Sequence, residues 1–256
     1  MTSIPLLNVM QALLTIGVRL SGLMLFAPLL GSAVIPARIK AGLVLALTFL
    51  LYPMLANQLP AQPVSEWPLL VFTELLIGVA IGIASSVVFD AVQMAGQVLS
   101  VQMGYSLINI LDPNTQVDTT VVALFHQSIA MLIFLRLDVH LWLISAVGHS
   151  FSYLPPGAAH LTRPFTLSML DAGASILATG VQIAAPVLSA TILADIVLGL
   201  LGKASPQLPL MLLGPAVKSL LGLGILFASL KYWPDMFRTL FLRSMDYIDH
   251  LLHLAR

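Results

Sequence analysis

Residues 67–104 read WPLLVFTELLIGVAIGIASSVVFDAVQMAGQVLSVQMG, an apolar run with no proline after Pro68 and no turn dipeptide. As one straight α-helix at about 1.5 Å per residue, the run would be roughly 55 Å long. The hydrocarbon core of a bilayer is only about 30 Å thick. The run therefore forms either a hairpin that turns near Ser85 and Ser86 or a single helix packed against protein rather than lipid. The absence of a turn signal favours the single helix.

The run leads into a segment that cannot continue as a helix. From Ala95 to Val122 the sequence is AGQVLSVQMGYSLINILDPNTQVDTTVV. Its turn signal is Asp112-Pro113-Asn114, because proline restricts its own φ and that of the residue before it. One interpretation is a water-facing connection between two helices. A solvated loop rarely carries large apolar groups, however, and this one predicts a segment that packs inside something. The apolar residues that precede the turn are Leu107, Ile108, Ile110 and Leu111.

The composition excludes a water-soluble globular protein. Of the 256 residues, 59% are hydrophobic and 9% are charged, whereas about 25% of the residues in a soluble domain are charged. The basic and acidic residues cancel, eleven of each, and form no basic patch for nucleic acid. The chain has no cysteine and hence no disulfide or thiolate site. We predict an all-α integral membrane protein, because backbone polar groups in a bilayer must be paired within their own segment.

Hydrophobic segments continue along the whole chain. The first lacks the basic start and the cleavage site of a signal peptide. The pattern predicts a single domain with long kinked helices and helical hairpins, and a kink at Pro186 within a second stretch, Phe165–Lys203, that is similar in length to the opening run. The predicted helices outside the opening run are Ile4–Val34, Ala41–Leu59, Thr119–Leu135, Val139–Tyr153, Phe165–Lys203 and Leu208–Trp233.

The final segment, Pro234–Leu254, has a different character. Apolar side chains recur on one helical face and charged ones on the other, which predicts an amphipathic helix lying on a membrane or on a partner. The apolar face holds Phe237, Leu240, Phe241, Ile248, Leu251 and Leu252, and the polar face holds Arg238, Asp246, Asp249 and His253.

Residues suited to catalysis are scattered through the sequence. Among the histidines, only His250 and His253 have the spacing of helical metal ligands, and such a pair more often marks a solvated face. No phosphate-binding loop, dinucleotide fingerprint or nucleophile elbow occurs. The sequence therefore predicts neither an enzyme nor a bound cofactor or metal.

Charges inside apolar runs are a sharper signal. Each costs about 2.5–3.5 kcal/mol near the middle of a bilayer, so it is normally paired or functional. The charges are Arg19, Glu74, Asp90 and Asp195. They predict either pairing within or between subunits, with Glu74 and Asp90 as one candidate pair, or an ion path. The glycines Gly78 and Gly82 follow Glu74 with the spacing that lets helices approach closely, which favours assembly over permeation.

A set of short motifs, in this order and spacing over residues 15–220, resembles the FliR family of flagellar export-gate proteins and their counterparts in type III secretion injectisomes. The chain departs from the family at Lys203, where arginine is common, and at Pro209, where asparagine is common. The segment after Trp233 matches least. The motifs are Arg19, Pro28, Ile35-Pro36-Ala37-Arg38-Ile39-Lys40, Glu74, Gly78, Ala95-Gly96, Gln102-Met103-Gly104, Asp112-Pro113, Gly148-His149-Ser150-Phe151, Leu154-Pro155, Gly157, Pro186, the run from Gly199 to Gln207, Gly214-Pro215 and Lys218.

The resemblance implies a structural subunit that assembles with FliP-like and FliQ-like proteins, and with an FlhB-like protein attached, in the bacterial inner membrane at the flagellar basal body. It implies a FliP-like part over residues 1–160, a FliQ-like part over 161–232 and an amphipathic helix over 234–255. Unfolded export substrates would pass through the assembly, and membrane lipid would surround part of it. An injectisome counterpart and an ion-coupled transporter are the alternatives.

The resemblance also assigns roles to residues. The segment from about Ser106 to Val122 would plug the closed pore through Leu107, Ile108, Ile110, Leu111, Asp112, Pro113 and Asn114. Buried charge and assembly would involve Arg19, Glu74, Asp90, Asp195, Lys203 and Lys218, and helix packing would involve Gly78, Gly82, Gly96 and Gly104.

Overall fold

The structure, a computed structural model, describes residues 3–32, 35–56, 59, 63–105, 120–160, 162–207 and 209–255. Within these residues all regular structure is helical, which confirms the predicted all-α class. The helices are α1 (Ser3–Phe26), α2 (Ala37–Leu55), α3 (Trp67–Gln102), α4 (Val121–Arg136), α5 (Val139–Tyr153), α6 (Arg163–Ala204), α7 (Leu210–Ser229) and α8 (Trp233–Leu254). Short 3-10 turns, Val64–Glu66 and Leu230–Tyr232, precede α3 and α8.

Helix α3 is a single helix of 36 residues, so the hairpin alternative near Ser85 is wrong. The two serines do not interrupt it because each hydroxyl is satisfied by the helix itself. Ser85 Oγ donates to the Gly82 carbonyl at 2.7 Å, and Ser86 Oγ donates to the Ile83 carbonyl at 3.0 Å. At about 1.5 Å per residue, α3 is roughly 54 Å long.

Helix α6 is longer still, with 42 residues, and it continues through Pro186. The predicted pair of helices around Arg136-Leu137-Asp138 is present as α4 and α5. Asp138 stands between them with a left-handed backbone, φ 55°. Thr120 caps α4, its side chain accepting from the backbone N–H of Ala123 at 3.4 Å.

The chain forms two compact units, and α3, α6 and α8 each contribute residues to both. The first unit comprises the described residues of Met1–Val87, Asp138–Gly173 and Leu240–Arg256, and the second those of Val88–Leu137 and Ala174–Thr239. Both units are therefore assembled from segments far apart in sequence.

In the first unit, glycine brings the backbones of α1 and α3 together. A Cβ added at Gly22 would lie 2.6 Å from the carbonyl oxygen of Leu75, and one added at Gly78 would overlap the carbonyl oxygen of Arg19. Apolar side chains of α1 fill the space beside this crossing, among them Ile16, Leu20 and Leu23 at 1% exposure or less. The two helices can only pack this closely because neither glycine carries a side chain.

Helix α8 is amphipathic, but its apolar face is covered by the chain itself, so the expectation that it lies on a membrane or a partner is wrong. Phe241, Ile248 and Leu251 are at most 1% exposed. The helix is also held by polar contacts: Ser244 Oγ donates to the Ala84 carbonyl at 2.9 Å, and Tyr247 donates to the Ser168 carbonyl. The residues of its predicted polar face are exposed: Arg238, Asp246, Asp249 and His253.

In the second unit, the C-terminal part of α3 packs against α4 and α6. A Cβ added at Gly96 would overlap Ala123 of α4, and one added at Gly180 of α6 would lie 3.0 Å from the Ala91 carbonyl oxygen. Phe89 and Phe134 meet edge to face with ring centroids 5.4 Å apart. Such aromatic pairs add about 0.5–1.5 kcal/mol beyond their burial.

Five helical segments of the described residues are long and apolar enough to cross a membrane, or up to six if α4 and α5 count as one broken span. The segments of α2 and α6 keep most of their side chains exposed. Exposed apolar residues on α6 include Leu193, Ile196 and Leu200. An apolar surface of this extent is stable in lipid or against other subunits but not in water, which confirms the prediction of a membrane protein.

The α1–α3 crossing generates a first prediction. We expect Gly78→Ala to destabilise the protein by about 1–3 kcal/mol, because the added methyl group must push two backbones apart. Gly42→Ala is the matched control, since Gly42 of α2 has no atom within 4 Å of an added Cβ. Alanine there should be neutral or stabilising by up to about 1 kcal/mol. Thermal unfolding of the variants, each co-expressed with the FliP-like and FliQ-like proteins and kept in isolated membranes, measures the difference, and equal melting temperatures would contradict the prediction.

Candidate functional site

A fully buried ion pair joins α1 to α3 in the first unit. The side chains of Arg19 and Glu74 are both 0% exposed. Arg19 Nε donates to Glu74 Oε2 at 2.7 Å, and Nη2 lies 2.6 Å from the same oxygen. The glycine crossing positions the pair, because Gly22 and Gly78 lie one turn beyond the two charged residues and bring the helix axes close together.

The remainder of the guanidinium group is satisfied by α5. Nη1 donates to Ser150 Oγ at 2.8 Å, and Nη2 donates to the Leu154 carbonyl at 3.1 Å. Leu154 is the C-cap of α5, where carbonyl groups lack helical partners and carry the negative end of the helix dipole. The ring of Phe151 lies against the guanidinium carbon, 3.8 Å from ring centroid to carbon.

This arrangement uses the charge of Arg19 to hold three helices together. An arginine has five N–H donors and stays protonated, so burying it requires several acceptors at once. The described residues supply a carboxylate, a hydroxyl and a carbonyl from α3 and α5. Removing any one of them would leave part of a buried charge unsatisfied. The site is therefore suited to fixing the packing of α1, α3 and α5.

The other predicted charges are not buried within the chain. Of the six, only Arg19 and Glu74 are buried, Lys218 is half-buried, and the exposed ones are Asp90, Asp195 and Lys203. The proposed pairing of Glu74 with Asp90 is wrong, because the Glu74 carboxylate pairs with Arg19. Position inside an apolar run did not imply burial, since an apolar helix at the surface of a membrane protein still has an outward face.

A second polar cluster lies in the second unit and joins α3, α6 and α7. Lys218 Nζ lies 2.9 Å from Asp195 Oδ1, with 18% and 44% of the two side chains exposed. Gln102 Nε2 donates to the other carboxylate oxygen, Oδ2, at 2.8 Å. Tyr105 follows Gln102 by three residues and Ser219 follows Lys218 directly, and the hydroxyl groups of Tyr105 and Ser219 are 2.6 Å apart.

The glycines named from the sequence all lie against other parts of the chain. A Cβ added at Gly82 would lie 2.9 Å from the Leu23 carbonyl oxygen, whereas Gly78 and Gly96 face Arg19 and Ala123 as described above. Gly104 has φ +87°, and an added Cβ there would lie 2.9 Å from the Cβ of Pro215. It is thus the one glycine of the four whose backbone conformation itself favours glycine.

The predicted plug residues Leu107, Ile108, Ile110, Leu111, Asp112, Pro113 and Asn114 lie outside the described residues. The residues on either side are described. Tyr105 contacts Ser219 of α7, and Thr120 accepts a hydrogen bond of 2.6 Å from Ser100 of α3.

The described part of the chain contains no group of three or more histidine, aspartate or glutamate residues able to hold a metal ion. His250 and His253 are both exposed on α8. The ring of His253 packs against Tyr153, with ring centroids 4.9 Å apart.

Sequence reasoning missed the partners of the charged residues. Ser150, Phe151 and Leu154 contributed to the family resemblance without any assigned role, and Tyr105 and Ser219 were not singled out. A usable signal existed for α5: a buried arginine needs several acceptors, and a helix C-terminus with a serine one turn earlier supplies two of them. Nothing in the sequence pointed to Tyr105 or Ser219.

Comparison with known proteins gives a consistent result. The profile of the family described as bacterial export proteins, family 1, matches residues 10–244. The chain is 31% identical over 239 residues to the flagellar biosynthetic protein FliR of Escherichia coli (strain K12), with 91% of each chain covered. It is 31% identical over 236 residues to FliR of Pectobacterium carotovorum subsp. carotovorum, covering 92% of this chain and 90% of that one.

A relative from a different secretion system also matches. The secretion system apparatus protein SsaT of Salmonella typhimurium (strain LT2) is 28% identical over 220 residues, which cover 84% of this chain and 85% of that one.

The buried ion pair generates a second prediction. We expect Glu74→Gln to destabilise the protein by about 3–5 kcal/mol and to reduce its yield sharply, because Arg19 would remain buried without a counter-charge. Asp195→Asn is the control: its half-exposed pair should be worth only about 0–1 kcal/mol. The measurement is the amount of monodisperse protein extracted from membranes.

A double variant separates the loss of the pair from the loss of one partner. Replacing both charged residues, as Arg19→Met with Glu74→Met, removes the unpaired charge and should restore much of the yield lost in Glu74→Gln. If the yield of the double variant is as low as that of Glu74→Gln, the unpaired charge of Arg19 is not the cause of the loss.

Proposed function

Because the chain belongs to the bacterial export proteins of family 1, the family of the flagellar FliR proteins, we propose that it is a structural gate subunit through which unfolded proteins leave the cytoplasm. Membership makes it a subunit of the flagellar type III export apparatus in the bacterial inner membrane. We further propose that it acts without chemistry of its own.

The observation that carries this proposal is the contrast between the interior and the surface of the chain. Inside, the buried pair of Arg19 and Glu74 joins three helices. Outside, α2 and α6 keep most of their apolar side chains uncovered. A rigid interior with large apolar outer faces suits a subunit that other helices and lipid surround.

The partners in this proposal are FliP-like and FliQ-like subunits, with an FlhB-like protein attached to their assembly. In this proposal the residues of 1–160 act as the FliP-like part and those of 161–232 as the FliQ-like part. The exposed apolar residues of α6, such as Leu193 and Leu200, are the contact surface offered to these partners. The exposed Lys203 at the end of α6 would meet water or a partner rather than lipid tails.

The transporter alternative has three candidate proton carriers, Glu74, Asp90 and Asp195, and it is weakened by the pairing of two of them. Glu74 is bonded to Arg19, and Asp195 is bonded to both Lys218 and Gln102. A carboxylate that exchanges protons loses its own negative charge in each cycle, and for Glu74 that would leave a fully buried arginine without a counter-charge. Nothing else among the described residues favours transport of a small solute.

The segment between Tyr105 and Thr120 is the plug in this proposal. Its apolar residues Leu107, Ile108, Ile110 and Leu111 would exclude water from the closed pore and so block ions. On either side of this segment, Tyr105 and Thr120 are hydrogen-bonded to helices of the second unit.

The proposal predicts dependence on partners. We expect the chain expressed alone to aggregate or to be degraded, because its apolar faces exceed what one chain covers. Co-expression with FliP-like and FliQ-like proteins should yield one complex whose intact mass contains all three. Native mass measurement in mild detergent tests this. A monodisperse monomer that transports solute in liposomes would instead support the transporter.

A further prediction concerns the plug. Deleting residues 108–115 should leave the yield of the complex within about twofold of wild type, because a plug that substrates displace contributes little to assembly. The same cells should become permeable to small solutes and sensitive to detergent. Complex yield and solute uptake are measured in one strain, with the substitution His250→Ala at an exposed position of α8 as the control.

The outcomes of the deletion are distinct. Loss of the complex without a leak would make residues 108–115 part of the ordinary core between subunits. An intact complex with a tight membrane would refute the plug.

A further inference from the structure

The end of α3 and the residues after it are held on α6 and α7 by a run of consecutive contacts. From the geometry we propose that Gln102, Tyr105, Asp195, Lys218 and Ser219 form a releasable clamp that positions residues 102–105 on α7 while the gate is closed and that opens during export. This inference rests on the proposed gate function, and every residue of the clamp is described in the structure.

One face of α7 is built for this contact. The residues of α7 that touch 102–105 are Pro215, Ser219 and Gly222. Their spacing by four and three residues places them along a single stripe of the helix. The run 102–105 therefore contacts two successive turns of α7.

The clamp itself consists of two polar contacts. At one end, Gln102 Nε2 donates to Asp195 Oδ2 at 2.8 Å, and Lys218 Nζ lies 2.9 Å from Oδ1 of the same carboxylate. At the other end, the hydroxyl groups of Tyr105 and Ser219 are 2.6 Å apart. Lys218 and Ser219 are neighbours in sequence, so one turn of α7 serves both contacts.

Between the polar contacts, the chain touches α7 through atoms that leave no spare room. A Cβ added at Gly222 would lie 2.8–3.0 Å from the Cε, Sδ and Cγ atoms of Met103. One added at Gly104 would lie 2.9 Å from the Cβ of Pro215. Gly104 also has φ +87°, which turns the backbone so that Tyr105 reaches Ser219. The fit depends on glycine at both positions.

The clamp differs from the Arg19 site in how strongly it is held. Asp195 is 44% exposed and Lys218 is 18% exposed, whereas both members of the Arg19–Glu74 pair are 0% exposed. A partly exposed pair is exchanged more readily than a buried one, because a polar group of a neighbouring subunit can replace one partner when the pair opens. The buried pair has no such alternative. The end of α3 is thus held by contacts that suit opening and closing.

The chain has no cysteine, which allows a direct test with a disulfide staple. In a disulfide each Cβ lies about 3 Å from the opposite sulfur, given an S–S bond of about 2.0 Å. The Cγ of Met103, where the sulfur of Met103→Cys would lie, is 3.0 Å from a Cβ added at Gly222. The pair Met103→Cys with Gly222→Cys therefore locks residues 102–105 on α7, and the first substitution removes the atoms that the second would crowd.

The matched control staples α3 to α6 outside the clamp. A Cβ added at Gly180 would lie 3.4 Å from the Cβ of Met94, close to the spacing of a disulfide. Met94→Cys with Gly180→Cys thus joins two helices of the same unit and leaves residues 102–105 free to move. Both pairs are placed in the full export complex, oxidised with copper phenanthroline and then reduced.

We expect both staples to form. Export of a substrate protein should fall at least tenfold with the clamp staple and not with the control staple. Reductant should restore the lost export. Failure of the clamp staple to form while the control staple forms would overturn the contact itself. A formed clamp staple with normal export would overturn its release. If the unmodified chain fails to support export in the same strain, the proposed function fails, and the staples are not needed to show it.

A second measurement uses no cysteine. Tyr105→Phe and Ser219→Ala each remove the same hydrogen bond with little change in volume. We expect each to raise the uptake of small solutes about fivefold, the shift expected from one ordinary hydrogen bond. The double variant should show the same rise as either single one. Multiplied effects in the double variant, or no rise in any of the three with the complex intact, would overturn the clamp.

Discussion

The cost of burying Arg19 determines how the first unit is built. A lone guanidinium away from water is prohibitively unfavourable, so the fold must bring a carboxylate, a hydroxyl and a carbonyl to it at once. Those groups come from Glu74, Ser150 and Leu154, on helices separated by long stretches of sequence. The glycines at the α1–α3 crossing let the charged side chains meet. The packing of α1, α3 and α5 therefore depends on one set of contacts, those to the guanidinium group of Arg19.

Helix α3 links two regions that differ in the strength of their contacts. Its first half carries Glu74 in a dry, fully buried pair, and its last residue, Gln102, binds a carboxylate that is partly exposed. Under the proposed gate function, a subunit that must remain assembled while a polypeptide passes needs both kinds of contact. The strong one maintains the fold, and the weaker ones can be exchanged.

The sequence predicted the helices better than it predicted their partners. The length of α3 followed from the lack of any turn signal, and the amphipathic character of α8 followed from spacing alone. The periodicity of a helix identifies its apolar face but not what packs against that face. For this reason α8 was expected to lie on a membrane or a partner. For the same reason Asp90 was expected to be buried, although it lies on an exposed face. The Arg19–Glu74 pair needed long-range geometry that a local pattern does not contain.

The return of α8 to the first unit constrains the order in which the protein can mature. That unit contains residues from both ends of the chain, Met1–Val87 and Leu240–Arg256. The hydroxyl group of Ser244, which donates to the Ala84 carbonyl, is added to the chain 160 residues after Ala84. Until Ser244 and its neighbours have been added, the apolar surface that α8 covers stays open. A chain interrupted before this residue therefore keeps that surface uncovered.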